Sequence, residues 1–464
     1  MAGRCQDLGF LRGSGRPARY PPGPLPGTLR RHSGSPWGRS VPHLAPPHGQ
    51  PPRIAVDDDL LLRCGPAAMS VASPAISLAR SRIASPRWVT AGVFFAFALG
   101  IGLWAGSIPV LMRQSGLTAT GLGLAITLHS GAYILAMMGA GWLTRWVELR
   151  RLIRVLLLLH AGAFFLLFSA TSPLWLTLAL IALGLTAGAT DLAMNTEATA
   201  LEREAARPVL TRMHAAASGA FAIGAISGSL LASAAGPMAC AVLAAAAILP
   251  VVWAVQRLGP RPPVALQKAA PGARGSAGSV VWLIGVVLGL SIAAEVTAQM
   301  WSAQFLAQQA AQLAALVGAG AALFAGCQSV VRLFGDRLRK RFDDLGIIRA
   351  SLALAALGFA VVALSDRFGW SVLGFALVGL GTACVVPCCF ALIARSAPHR
   401  AAAALGQASL VAGLLRLPAP LCLGYVAAAW SDAAAFAGVA LALVLGVLML
   451  AVHARTGARI GTRS

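Results

Sequence analysis

The chain has 464 residues, of which 58% are hydrophobic and 11% are charged, whereas soluble domains carry about 25% charged residues. Its mean hydropathy of +0.75 excludes a soluble fold, because a soluble protein of this length cannot bury so much apolar surface, while lipid accepts it. The net charge of +22 does not indicate nucleic-acid binding. The basic residues lie between long apolar segments, and no zinc-finger or RNA-type aromatic motif accompanies them.

The first 69 residues differ in composition from the rest. Stretches such as PARYPPGPLPG and HLAPPHGQPP are rich in Pro, Gly and Arg, which predicts disorder. The segment has no continuous apolar region of the kind a signal peptide needs. Two interpretations remain, a regulatory tail or a start codon assigned too far upstream. The second is favoured, because Met69 opens an ordinary short leader to the first apolar segment.

Twelve segments of about twenty mostly apolar residues are each long enough to cross a bilayer. Spans 1 to 6 are predicted near 88–111, 121–143, 152–170, 174–196, 212–234 and 238–256, and spans 7 to 12 near 280–302, 312–334, 346–364, 370–393, 402–427 and 433–452. Arg and Lys concentrate in every second loop, and the alternate loops hold only Arg113 and Arg367. Because loops rich in Lys and Arg stay in the cytoplasm, both termini are predicted to be cytoplasmic.

The long loop at 258–279 is rich in Pro, Gly and Ser and is predicted to be a flexible cytoplasmic linker. It separates an N-terminal half, 70–257, from a C-terminal half, 280–464, with six spans each. LGLTAGATD in span 4 and VGLGTACVV in span 10 are weakly similar. An internal repeat of this kind predicts two parallel six-helix halves with a binding site at their interface, as in secondary transporters.

These features resemble the major facilitator superfamily, and most of all its branch of fucose permease and related sugar–proton symporters. The resemblance covers residues 85–455 and is carried by GLWAGSIPVLMRQSGLTATGLG at 102–123 and TDLAMNTEATALEREAARPVLTRMHAAASGA at 190–220. GDRLRKRF at 335–342 is similar to the second copy of the superfamily's cytoplasmic loop signature. The resemblance implies alternating access by rocking of the two halves. The gating residues it implies are Arg332, Gly335, Asp336, Arg337 and Arg341.

The first copy of the loop signature departs from the family pattern. Arg145 stands where the pattern has an acid, and Glu148 is the candidate substitute. At the second copy, Arg332 is expected to form a gating salt bridge with Asp336 that breaks and reforms as the halves move.

Charged residues inside spans are functional candidates, because a charge in hydrocarbon costs about 2.5–3.5 kcal/mol. Asp191 and Asn195 lie one turn apart in span 4, and the resemblance implies that the acid here couples protons, with a salt bridge or a helix-end cap as the alternative. Asn195 is a candidate for substrate binding, because its amide offers both a donor and an acceptor. Glu197 lies on another side of the same span, either functional or held in a salt bridge. Glu295 in span 7 is the second proton-coupling candidate, with a structural ion pair to an arginine as its alternative. Gln299, one turn further along the same span, is a candidate for substrate binding.

Several other side chains are predicted to bind substrate. Arg416 in span 11 is a candidate partner for Glu295 or another acid, or a binding group for an anion. His214 lies in the resembling stretch and is of the residue type that titrates near neutral pH. Trp104, Tyr133 and Trp301 are suited to stack on the face of a sugar. Further candidates with weaker support are His129 and His160.

The sequence therefore predicts a proton-coupled secondary transporter for a small polar, sugar-like solute. It is expected to act as a monomer in the bacterial cytoplasmic (inner) membrane, without cofactor, metal or nucleic acid. The sequence has no Walker-type phosphate loop and no HExxH or GxSxG motif, which argues against ATP drive and against an enzyme. The alternative is an exporter of drugs or metabolites by proton antiport, disfavoured because Ala225 stands where exporting branches carry a proline in span 5.

Overall fold

The computed structural model describes residues 85–205, 209–261, 278–397 and 400–455. The predicted N-terminal tail, 1–69, lies outside the described residues. All regular secondary structure in the described ranges is helical. The all-α fold expected from composition is therefore confirmed for this part of the chain.

Twelve helices within the described ranges are long and apolar enough to cross a membrane. Spans 1 to 6 are Pro86–Ser115, Ala119–Leu143, Leu149–Phe168, Pro173–Ala205, Leu210–Ala234 and Met238–Gln256. Spans 7 to 12 are Ser279–Gln309, Ala311–Gly335, Asp344–Leu364, Phe368–Ser396, Ala403–Ala429 and Asp432–His453. The predicted number and order of spans are confirmed, and the protein is a multi-pass membrane protein.

Spans 4 and 7 run further than hydropathy predicts. Span 4 continues to Ala205 and span 7 to Gln309, through polar stretches such as LEREA. Glu, Arg, Gln and Ala are good helix formers, so the helix continues after the apolar segment has ended. Hydropathy locates the apolar segment that crosses the hydrocarbon core, and it does not locate the end of the helix.

Three spans are interrupted. Span 8 opens with a 3₁₀ helix, Ala311–Leu316, and span 10 consists of Phe368–Thr382 followed by Val385–Ser396. Span 11 consists of Ala401–Arg416 and Ala419–Ala429. The break in span 11 falls at Pro418, whose ring supplies no N–H donor to the helix. Arg416 therefore ends the first segment beside irregular backbone in the middle of the bundle.

The same glycine contact recurs in both halves. A Cβ added to Gly188 of span 4 would lie 2.0 Å from the Tyr133 carbonyl oxygen of span 2, and one added to Gly379 of span 10 would lie 2.0 Å from the Phe324 carbonyl oxygen of span 8. No side chain fits at either position, so the two backbones touch, as small residues permit between membrane helices. Phe324 follows Tyr133 by the same number of residues as Gly379 follows Gly188. Equal spacing is what two parallel repeats require.

The loops that follow spans 2, 4, 6, 8 and 10 share one end of the bundle with residues 85 and 455, here termed the basic end. The loops that follow the odd-numbered spans form the far end. At the far end the halves meet in two places. A Cβ on Gly123 of span 2 would lie 2.5 Å from the Pro420 carbonyl oxygen of span 11, and the Ser229 hydroxyl of span 5 donates to the Ala315 carbonyl at 2.9 Å.

Toward the basic end the two halves are joined mainly on one side of their interface. Spans 5 and 8 remain in contact there, where the Ser329 hydroxyl donates to the Ala215 carbonyl at 2.8 Å. Span 4 packs mainly against spans 1, 2 and 3 of its own half, and span 10 against spans 7, 8 and 9 of its own. The two halves are therefore joined on both sides at the far end, and mainly along spans 5 and 8 at the basic end.

Candidate substrate and proton site

A cavity of about 170 Å³ lies between the halves, walled by spans 1, 2 and 4 on one side and spans 7 and 11 on the other. It is smaller than the roughly 300–1,000 Å³ typical of ligand pockets, so it admits only a small solute in this conformation. Its polar and aromatic lining consists of Trp104, His129, Ser130, Tyr133, Gln299 and Arg416. Three predicted substrate-binding residues, Trp104, Gln299 and Arg416, are thus brought together.

The span 2 wall of the cavity is fixed by close helix packing. His129 Nδ1 lies 2.9 Å from the Leu180 carbonyl oxygen of span 4. Because a carbonyl only accepts, Nδ1 is assigned as the protonated nitrogen. The Trp104 ring, 2% exposed, lies 5.0 Å from the His129 ring, centroid to centroid. These contacts hold an aromatic surface and a histidine edge against the cavity.

Asp191 receives hydrogen bonds from two neighbouring side chains. The Tyr133 hydroxyl donates to Oδ2 at 2.7 Å, and Asn195 Nδ2 donates to Oδ1 at 3.0 Å and to the Asp191 carbonyl at 2.8 Å. His214 Nε2 lies 3.1 Å from Asn195 Oδ1, an acceptor, so Nε2 is assigned as a donor. A chain of hydrogen bonds therefore runs from the cavity wall at Tyr133 through span 4 to span 5, and all four of its side chains were candidates from the sequence.

Glu295 pairs with Arg332. Arg332 Nη2 lies 3.7 Å from Glu295 Oε2, and Nη1 donates to the Ser218 hydroxyl of span 5 at 2.9 Å. The arginine predicted to gate with Asp336 thus joins spans 7 and 8 to the other half in the interior of the bundle. The Asp336 side chain lies outside the described part of the structure. The alternative considered for Glu295, an ion pair with an arginine, is the arrangement observed, but the direct partner is Arg332 and not Arg416.

Arg416 occupies the cavity wall at the break in span 11. Its Nε atom is buried and has no hydrogen-bond partner among the described residues. Arg416 interacts electrostatically with Asp191 and with Glu295. Since a guanidinium does not lose its proton in proteins, the cavity carries a permanent positive charge.

The structure does not place Trp301 at the cavity. Val296, Gln299 and Met300 line it from span 7, whereas Trp301 is not among the lining residues and is buried in the core. One residue along an α-helix turns the side chain by about 100°. The residue after Met300 therefore points into the packed interior of the half, and the predicted stacking of Trp301 on a sugar is not supported in this conformation.

Glu197 belongs to a separate cluster of charges near the basic end. Its carboxylate is 2% exposed and lies 2.8 Å from Arg150 Nη2 and 2.6 Å from Arg261 Nε. Arg261 also contacts Glu204 at 2.6 Å, and its backbone N–H donates to Glu148 at 2.7 Å. The salt-bridge alternative for Glu197 is thus the arrangement observed. The start of the predicted flexible linker is fastened to the N-terminal half, while 262–277 lie outside the described residues.

The second loop signature makes different contacts from those expected. Arg337 and Arg341 are exposed, with their guanidinium carbons 5.5 Å and 5.8 Å from the rings of Phe334 and Phe342. Gly335 lies near Cys384, which a Cβ at this glycine would meet at 3.7 Å. The gating role of Arg337, Arg341 and Gly335 stays a prediction.

Asp344 is a charged residue that sequence reasoning missed. Its carboxylate accepts from Arg339 Nε at 2.9 Å and from Arg395, which joins spans 8, 9 and 10 within the C-terminal half. Tyr133 was noted only for stacking, and its hydroxyl instead bonds Asp191. The sequence contained a signal for Asp344, an acid in the first turn of a span, where it suits the helix dipole.

The sequence model of the Major Facilitator Superfamily matches residues 90–420. The chain belongs to the Major Facilitator Superfamily. An uncharacterized transporter of this superfamily from Yersinia pestis is 28% identical over 76% of this chain and 91% of its own length. A transporter of Sinorhizobium fredii is 26% identical over 75% of this chain and 93% of its own length. Proteins of this superfamily are transporters, and this one is not an enzyme.

Solved structures share the superfamily fold at low sequence identity. The nucleoside transporter NupG has a TM-score of 0.63 at 14% identity, covering 80% of this chain and 99% of that one. An inward-facing, occupied bacterial homologue of the human lysosomal transporter Spinster has a TM-score of 0.65 at 11% identity, covering 85% and 100%. These likenesses establish the fold alone.

Proposed function

We propose that this superfamily member is a proton-coupled secondary active transporter that takes up a small polar solute across a bacterial cytoplasmic membrane, acting as a monomer. One observation carries the proposal. The cavity between the halves is joined through the Tyr133 hydroxyl to Asp191, at 2.7 Å. A titratable group bonded to the wall of a binding cavity lets proton occupancy and solute occupancy influence each other, which is what coupling requires.

Alternating access is supported by the unequal contacts at the two ends. Both sides of the interface are joined at the far end, by spans 2 and 11 and by spans 5 and 8. The basic end is the cytoplasmic end if loops rich in Arg mark the cytoplasm. On this orientation both termini are cytoplasmic, and the halves are joined on fewer sides at the cytoplasmic end, as expected of the inward-facing state in which the Spinster homologue was captured.

A sugar-like solute is supported by the chemistry of the lining and by the resemblance to the fucose-permease branch. The Trp104 ring offers an apolar face to the C–H groups of a sugar. The Gln299 amide offers both donors and an acceptor to hydroxyl groups. The small cavity volume, about 170 Å³, favours a single small ring or a short polyol.

The experiment records internal pH in proteoliposomes while sugars and small organic acids are added outside. Wild type should acidify the lumen with its solute, because protons enter with it. Asp191→Asn should lose this acidification but retain counterflow exchange of the labelled solute. Asp366→Asn, an exposed loop residue at the far end, is the matched control and should behave as wild type.

Each other outcome has a distinct meaning. Alkalinisation of the lumen would show antiport and replace this proposal by the exporter alternative. Equal acidification by wild type and Asp191→Asn would remove Asp191 from proton coupling. A variant with a collapsed gel-filtration profile would assign Asp191 to folding, and Tyr133→Phe, which removes only the hydroxyl facing Asp191, then tests the same link.

A further inference from the structure

The cavity contains the positive charge of Arg416. Whether this charge is offset depends on whether Asp191 is ionised. Arg416 lies on the wall with a buried Nε that has no hydrogen-bond partner among the described residues. A buried charge without a close partner is unfavourable, and membrane proteins place such groups where a substrate or ion completes them. The Arg416 Nε–H is therefore a hydrogen-bond donor on the cavity wall that none of the described residues satisfies.

The charged and titratable groups to consider lie on the spans that pack against span 4 and on those of the other half. Span 2 contributes Tyr133 and His129, span 3 contributes His160, whose Nδ1 lies 2.9 Å from the Thr186 hydroxyl of span 4, and span 5 contributes His214. The C-terminal half contributes Glu295, Arg332 and Arg416. Glu295 and Arg332 form their own pair at 3.7 Å. All three histidines bond to oxygen atoms, His129 to a backbone carbonyl, His160 to the Thr186 hydroxyl and His214 to Asn195. Asp191 is thus the acid that remains to balance Arg416.

We propose that the transported solute carries one carboxylate group, that Arg416 binds this carboxylate, and that Asp191 must take up a proton before Arg416 is free to do so. With Asp191 ionised, its negative charge offsets Arg416 in the empty carrier. With Asp191 protonated, the cavity gains one positive charge, and one carboxylate restores neutrality. One proton and one monoanion therefore cross together, and the halves rock only with a neutral cavity.

The solute class follows from the charges and the remaining lining. When Asp191 is protonated, Arg416 contributes one positive charge, which a single negative charge on the solute neutralises. A doubly charged phosphate would leave one negative charge uncompensated in a low-dielectric cavity. Trp104, Ser130 and Gln299 complement a hydroxylated carbon skeleton. The geometry thus fits a small sugar acid. This inference rests on the proposed function and narrows its solute class.

The test compares sugar acids with their neutral parents in proteoliposomes that contain the full chain. D-galacturonate and D-gluconate are added beside D-galactose and D-glucose, with internal pH as the readout. A potassium gradient with valinomycin sets an inside-negative potential of about 100 mV, which alters the rate of any step that carries net charge. Acidification is expected with a sugar acid and not with its parent sugar, with a rate that the potential changes by less than about twofold.

Variants separate binding from folding. Arg416→Gln should reduce sugar-acid uptake by at least about thirtyfold, the change expected when one member of a buried charge pair is truncated. Arg416→Lys should recover part of it, because the charge remains. Arg367→Gln, an exposed arginine at the far end, is the matched control with unchanged uptake. Melting temperatures in detergent identify any variant that fails to fold.

The outcomes distinguish this inference from the function on which it rests. Acidification with a neutral sugar that survives Arg416→Gln would overturn the carboxylate proposal and leave proton-coupled transport standing. Sugar-acid uptake driven strongly by the potential would overturn the one-to-one charge balance. Absence of proton movement with every compound would overturn both.

Discussion

Replacing Gly188 with alanine tests whether the contact between spans 2 and 4 positions the proton site. The new Cβ would lie 2.0 Å from the Tyr133 carbonyl oxygen and 2.8 Å from its carbonyl carbon. Both neighbours are backbone atoms, so no side-chain rotation relieves the clash. The two helices must separate at the level of Tyr133, whose hydroxyl contacts Asp191.

The size of the effect follows from these distances. Ordinary contact begins at 3.4 Å, so the backbones must move apart by about 1.4 Å, and overpacking of this kind costs about 1–3 kcal/mol. A comparable shift of the Tyr133 hydroxyl lengthens its 2.7 Å bond to Asp191 beyond the range of about 2.5–3.0 Å for such bonds. Losing a hydrogen bond to a charged group costs about 1.5–3 kcal/mol, or tenfold to a hundredfold in rate.

The assay measures melting temperature in detergent and proton-driven uptake in proteoliposomes for three variants. Gly379→Ala imposes the same 2.0 Å clash on spans 8 and 10 and should be destabilised equally without losing the Tyr133 contact. Gly139→Ala, with open space around its Cβ, should match wild type. Gly188→Ala should lose both stability and coupling. Wild-type values for Gly188→Ala would refute the reasoning.

Two further predictions concern the charges near the basic end. Glu197→Gln removes the charge shared by Arg150 and Arg261 and should destabilise the protein by about 3–5 kcal/mol, seen as a lower melting temperature that adding Arg261→Gln partly restores. An unchanged melting temperature would contradict the pairing. Burial acts to raise the pKa of Glu148, but backbone N–H donors from Arg261, Arg150 and Arg151 outweigh it and hold that pKa below its usual range. The stability contributed by Glu148 is present above the ordinary carboxyl pKa and is lost as pH falls through the lowered one. Melting temperatures of wild type and Glu148→Gln should therefore differ at pH 7 and converge in acid, and a constant difference would exclude this role.

The fold was predictable because bilayer thickness imposes a length on each apolar segment. Twelve spans and their order follow from that constraint alone. The ends were less predictable, since the polar continuation of span 4 to Ala205 depends on helix propensity outside the hydrocarbon. The break in span 11 follows from Pro418 itself, which has no N–H to donate to the helix.

Most residues of the candidate site could be predicted from the sequence, but their contacts with one another could not. Asp191, Asn195 and His214 were each marked by polarity within an apolar span, and the structure joins them in one chain of hydrogen bonds. The pairing of Glu295 with Arg332 depends on the rotation and height of spans 7 and 8. The burial of Trp301 depends on rotation in the same way. The helical period predicts which residues of one span share a side of the helix. Only the packing of the spans determines which side contacts a neighbouring span.

The matched glycine contacts in the two halves have a historical meaning. Thr382 in span 10 stands at the same interval from Gly379 as Asp191 does from Gly188, and its hydroxyl accepts from Gln328 at 3.3 Å. A duplicated six-helix ancestor would have begun with identical residues at both places. The two copies keep the shared backbone contact but differ in chemistry, because an acid stands at this place in the first copy and a threonine in the second.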